Sequence, residues 1–165
     1  MALVAVLGSV LVAQVLTGYG RVLAPGLFVH GDPTLDAFEW NELPAALRAR
    51  GLLQPGVFLI TTHWIWAGRI DQSLHDAVPV VIVGGNPKQF GLRYDPAQFL
   101  GRDALLIAPV EQMPDLIRHL EPYFESLQAL TPLALGRSGM AEVPLGVMRA
   151  HRLRTTLPVA PKPQP

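Results

Sequence analysis

The sequence predicts a small three-layer α/β domain: a mostly parallel sheet, a C-terminal β-hairpin, and one hydrophobic, transmembrane helix in front. Three observations predict it. Short apolar runs at 57–61, 80–83 and 104–108 alternate with longer stretches whose apolar residues recur at helical spacing. That alternation is the mark of βαβ units, whose parallel strands lie buried on both faces. The last apolar runs, 133–136 and 143–148, flank Arg137-Ser138-Gly139 and predict a closing hairpin of antiparallel edge strands. Residues 1–20, MALVAVLGSVLVAQVLTGYG, carry no charge at all.

The N-terminal segment, 1–29 with its linker, is read as a membrane span. A helix of about 20 predominantly apolar residues crosses a hydrocarbon core of ~30 Å. A cleaved signal peptide lacks support, because no Lys or Arg precedes Arg21 to form a basic leader. A buried core helix is the alternative. Arg21, the only basic residue near either end before Arg48, would by itself hold the downstream domain in the cytoplasm.

The soluble domain is placed at 30–156. Asp32-Pro33 reads as a helix cap followed by proline at the first helical position. Leu35, Phe38, Leu43, Ala46 and Leu47 continue that helix, Pro44 kinks or splits it, and Gly51 stops it. After the first strand, Trp66, Ile70 and Leu74 stack at i, i+4 on a second helix. The second strand ends in the turn cluster Gly84-Gly85-Asn86-Pro87. The third helix is read from Leu116, Ile117, Leu120, Phe124 and Leu127, with Pro122 bending it. Residues 157–165, LPVAPKPQP, read as an unstructured tail.

Composition narrows the function classes. Of 165 residues half are hydrophobic and 16% charged, and 13 basic residues balance 13 acidic ones, so nothing argues for nucleic acid. The absence of Cys excludes disulfides, thiolate metal sites and Cys nucleophiles. The five His residues show no ligand spacing, which argues against a metal, and no cofactor motif is present. Gly136-Arg137-Ser138-Gly139 misses the nucleophile-elbow spacing by one residue and is better read as a turn.

The polar residues that remain are weaker candidates. Asn86 follows the second strand, where open α/β sheets bind ligands, although a plain turn before Pro87 explains it as well. His63 closes the first strand, so the two are expected on one sheet edge. Asp32 has a sufficient job as a helix cap. In His63-Trp64-Ile65-Trp66-Ala67-Gly68-Arg69, two Trp at i, i+2 cannot both face the core of one helix, so either one lies at a surface, a domain contact or the membrane interface, or Trp64 belongs to the strand end and simply packs. The candidate ligand or interface residues are therefore Asp32, His63, Trp64, Arg69 and Asn86. Arg102 and Asp103 form a further pair that also reads as a turn into the third strand.

Asp32-Pro33-Thr34-Leu35-Asp36 with Trp40, Glu42 and Leu43 resembles the segment after the last membrane span of bacterial family 39 glycosyltransferases, the relatives of protein mannosyltransferases. The resemblance continues through Trp64, Ala67, Gly68, residues 79–83, Gln89-Phe90 and residues 101–105, and closes with the hairpin. It implies a periplasmic α/β domain on the bacterial inner membrane, packed on the multi-span part of an enzyme that takes a sugar from a polyprenyl phosphate. It also implies that the catalytic carboxylates lie in that membrane part, so no catalytic residue maps onto this chain. Two alternatives stay open: an anchored interaction module without a small ligand, and a small anchored hydrolase or nucleotide-binding enzyme. The last requires His63, Asn86, Arg102 or Asp103 to converge.

Overall fold

The computed structural model describes residues 2–24, 26, 40–84, 88–137 and 141–158. They fall into two compact units, Met1–Glu39 with Ala134–Val143, and Trp40–Leu133 with Pro144–Pro165.

In the first unit, α1 (Ala2–Thr17) follows from an unbroken run of apolar residues with no charge to interrupt it. Leu3, Val4, Val6, Leu7, Val10, Leu11, Val12 and Leu16 project on every side of the helix and stay 45 to 72% exposed. Its few polar side chains bond to the helix's own backbone. Ser9 Oγ donates to the Ala5 carbonyl at 2.9 Å and Thr17 Oγ1 to the Ala13 carbonyl at 2.6 Å. Gln14 Oε1 accepts from the Gly20 N–H at 2.6 Å.

The expected continuous span over 1–29 is not supported. Among the described residues no helix is long and apolar enough to cross a membrane. The reason is Gly18, which turns left-handed at φ 70 and donates its N–H to the Gln14 carbonyl. The helix ends there, and the short α2 (Gly20–Leu23) follows as a separate element. At 16 residues α1 is about 24 Å long, short of the ~30 Å hydrocarbon core.

The second unit is built on a five-stranded sheet, in which β1 (Phe58–Thr61), β2 (Val80–Ile82) and β3 (Ala104–Pro109) are the predicted parallel strands. β1 lies between the other two, with Ile60 beside Val81 and Leu59 beside Leu105. Consecutive residues of all three are buried, so both faces are covered, as continuous Val/Ile/Leu runs require. The hairpin strands β4 (Phe124–Arg137) and β5 (Ala141–Leu153) complete the order β2-β1-β3-β5-β4. β5 runs antiparallel to β3, with Leu106 beside Met148.

α3 (Leu43–Ala49) buries Leu43, Pro44 and Leu47, and Gly51 at φ 62 terminates it as expected. Pro44 does not kink it. It sits in the first turn, where its missing N–H costs nothing. A 3-10 turn at Trp40–Glu42 leads in, and the proposed start at Asp32 lies outside the described residues.

α4 (Trp64–Leu74) buries Trp66, Ala67, Ile70 and Leu74 on one stripe. The short α5 (Phe90–Arg93) then brings Arg93 onto both Asp71 and Asp76. Burial pushes the Asp71 carboxyl up, against the pull of Arg93, while Arg93 holds the exposed Asp76 below the ordinary aspartate range.

The third helix is shorter than predicted. α6 (Met113–Leu120) ends at a 3-10 turn, Glu121–Tyr123, whose early Pro122 cannot continue an α-helix. Phe124 and Leu127 therefore belong to β4, and Phe124 joins Phe58 and Phe99 in an aromatic cluster (centroids 6.5 Å and 4.4 Å from Phe58). β4 is an edge strand, as its Pro132 allows. Arg50 at the end of α3 donates to the carbonyls of Thr131 and Pro132, occupying part of that open edge. Leu157, at the head of the Pro-rich tail, is buried, and 159–165 lie outside the described residues.

Candidate functional site

Parallel strands put all their carboxyl ends on one edge, and His63 and Asn86 are expected there. His63 caps α4 from an extended backbone, its Nδ1 accepting the Ile65 N–H at 3.4 Å. Its ring tilts against Trp64, with centroids 5.8 Å apart. Trp64 is 38% exposed while Trp66 is 7% exposed, so of the two readings of the Trp pair the structure has one in the core and one at the surface. The Lys88 ammonium stands 5.8 Å from the Trp64 ring. From the end of β3, Gln112 accepts a hydrogen bond from Thr62 at 2.8 Å. Asn86 and Asp32 lie outside the described residues, so the predicted pairing of His63 with Asn86 falls outside them too.

Arg69 does not join this edge group. It is exposed on α4 beside the buried Ile70, on the helix surface turned from the core. Nor do Arg102 and Asp103. They precede β3 and so stand at the amino-terminal edge, opposite His63. The convergence that a hydrolase or nucleotide-binding site would need, of His63 with Arg102 or Asp103, is absent. Among the described residues no group of three or more His, Asp or Glu side chains is placed to hold a metal.

At the amino-terminal edge Arg102 and Asp103 tie three strands together. Arg102 Nε donates to the Gly56 carbonyl, ahead of β1, at 2.6 Å. Its guanidinium lies 5.2 Å from the Phe99 ring and 6.0 Å from Phe58, fixing it over the aromatic cluster. The Gly101 N–H bonds to the Leu153 carbonyl, and the Leu153 N–H to the Arg102 carbonyl. Asp103 Oδ1 accepts the Arg152 N–H at 2.9 Å, where Arg152 turns to φ 46, and Oδ2 lies 3.4 Å from His151 Nδ1.

Beside this junction is a cavity of about 360 Å³, lined by Leu52, Gln54, Pro55, Gly56, Val57, Gly101, Arg102, Asp103 and Arg149. It brings together the predicted pair and Arg149, which the sequence reading missed. One signal was available. Arg149 interrupts Val147-Met148-Arg149-Ala150, a run otherwise buried throughout, and a half-buried charge in such a strand asks for a partner.

No family model, curated protein or solved structure matches the chain.

Proposed function

We propose that this chain is a membrane-associated, non-catalytic α/β domain that works beside the multi-span part of a polyprenyl-phosphate-sugar glycosyltransferase, on the periplasmic side of a bacterial inner membrane. The observation that carries the membrane part of this reading is α1. A helix apolar on all sides belongs in a core or in lipid. Here eight large apolar residues are instead 45 to 72% exposed. Burying a side chain of that size is worth about 1.5–3 kcal/mol, so covering the set is worth on the order of 10 kcal/mol.

Lipid suits the helix chemically as well. In hydrocarbon each polar group must be satisfied internally. Ser9 and Thr17 donate back to carbonyls one turn earlier, and Gln14 takes up an N–H beyond the helix end. A helix of about 24 Å embeds in the apolar layer, or is met by local thinning of the bilayer. The non-catalytic part of the reading is supported by the sequence resemblance, which maps no catalytic residue onto these positions. The glycosyltransferase part is supported by the sequence resemblance alone.

The test is a C-terminal tag at the native locus. The tagged protein is expected in the membrane fraction, resistant to salt, and associated with a multi-span protein as one chain or two. Recovery in the soluble fraction after lysis would refute the membrane reading. Recovery in the membrane with no multi-span partner and no added mass would refute the transferase reading.

A further inference from the structure

We infer that the cavity at the amino-terminal edge of β1 and β3 binds a small phosphate monoester carrying hydroxyl groups, such as a phosphorylated sugar. This does not rest on the membrane reading. A volume of about 360 Å³ lies within the range of small-molecule sites and is large enough for a phosphorylated hexose.

Two arginines line it, and each has unused donors. Arg102 commits Nε to Gly56, and its stacking over Phe99 holds the plane still. Among the described residues no hydrogen bond or ion pair engages its η-nitrogens. Arg149 is half-buried on β5 beside Leu105, and among the described residues nothing pairs with its guanidinium. Both arginines are half-buried, so their charges are screened less than on an open surface, and two cations at one cavity oppose each other. An oxyanion relieves that repulsion, and planar guanidinium forks match a phosphate edge to edge.

Asp103 selects against a bare polyanion. Its carboxylate, already fixed by the Arg152 N–H, adds negative charge to the lining and is an acceptor for ligand hydroxyls. Gly56 at φ 85 and Gly101 at φ 76 form part of the rim. A Cβ at either would meet nothing within 4 Å, so the ligand can approach bare backbone there.

The test is calorimetric titration of the full-length chain, in detergent micelles, with glucose 6-phosphate, inorganic phosphate and glucose. Glucose 6-phosphate is expected to bind, inorganic phosphate more weakly, and glucose not at all. Arg149→Met should keep the wild-type circular dichroism and thermal midpoint, since its guanidinium bonds to no described residue. It should weaken glucose 6-phosphate binding by about ten-fold or more, the loss of one charge-assisted pair. Arg149→Lys, which keeps the charge but loses the fork, should fall between. No binding to wild type at millimolar concentration overturns the inference. So does equal binding of glucose, or affinity unchanged in Arg149→Met.

Discussion

Gly146→Ala should destabilise the protein through one side chain, Met113. Gly146 lies in β5 beside Ala108 of β3, and its backbone is not in the left-handed region, so an alanine there meets no strain of its own. What it meets is the start of α6. An added Cβ would stand 2.2 Å from Met113 Cγ and 2.9 Å from Sδ, with the Ala108 carbonyl oxygen at an ordinary 3.5 Å. Met113 must therefore withdraw by more than 1 Å, and at 7% exposure it has little room. Such overpacking costs about 1–3 kcal/mol. Replacing glycine by alanine returns about 0.5–1 kcal/mol of chain entropy. The net loss is about 0–2.5 kcal/mol, a fall of up to roughly 10 °C in Tm for a chain of this size. The assay is denaturant unfolding of a double-mutant cycle. Met113→Ala alone should cost about 2–5 kcal/mol. In that background Gly146→Ala should be stabilising by up to about 0.5–1 kcal/mol, leaving a coupling of about 1–3 kcal/mol. An equal cost with and without the Met113 side chain would show that this packing is wrong.

Two further predictions concern charge and capping. Asp76→Asn should lower Tm at neutral pH, because Arg93 holds the Asp76 carboxyl below its ordinary range. A depressed aspartate contributes stability above its unfolded value near pH 4 and loses it as pH falls through the lower folded value, so wild type and variant should converge in acid. Tm measured from pH 7 to pH 2 checks this, and a gap that persists at pH 2 would contradict it. His63 is a weak cap, with its acceptor 3.4 Å from the Ile65 N–H. His63→Asp should therefore hold or raise stability by up to about 1 kcal/mol, and His63→Ala should cost less than about 1 kcal/mol. A larger loss in His63→Ala would give this residue a role beyond the cap.

What the sequence made legible follows from how local each signal is. The three parallel strands stood out because strands buried on both faces must be apolar at every position, as in Phe58–Thr61 and Ala104–Pro109. α4 was readable from Trp66, Ile70 and Leu74 for the same reason of period. The boundary between α6 and β4 was misread. Phe124 fits a helical period from Leu116 and an aromatic cluster equally well, and only the packing against Phe58 and Phe99 separates the two. Pro44 and Pro122 read as interruptions in the sequence, yet each starts a turn, since proline's place in a helix depends on where the helix begins. The candidate site was legible only in part. Arg102 and Asp103 stood out as a charged pair before a strand, while Arg149, Gln54 and Gly56 reach the cavity from elements distant in sequence. The hydrophobic segment is plain in the sequence, but its helix ends at Thr17, earlier than hydropathy alone predicts. Gly18 acts by adopting a left-handed conformation, and hydropathy carries no trace of that.

The most direct measurement uses the absence of cysteine, which leaves any introduced thiol as the sole one in the chain. Val10→Cys reports on α1 and Gln72→Cys on the exposed surface of α4. Membranes opened by freeze–thaw are treated with an impermeant maleimide, before and after detergent. If α1 is embedded in lipid, Cys at position 10 stays unlabelled until detergent is added, while Cys at position 72 labels at once. Equal labelling of both before detergent would contradict the proposal that this helix anchors the protein in a membrane.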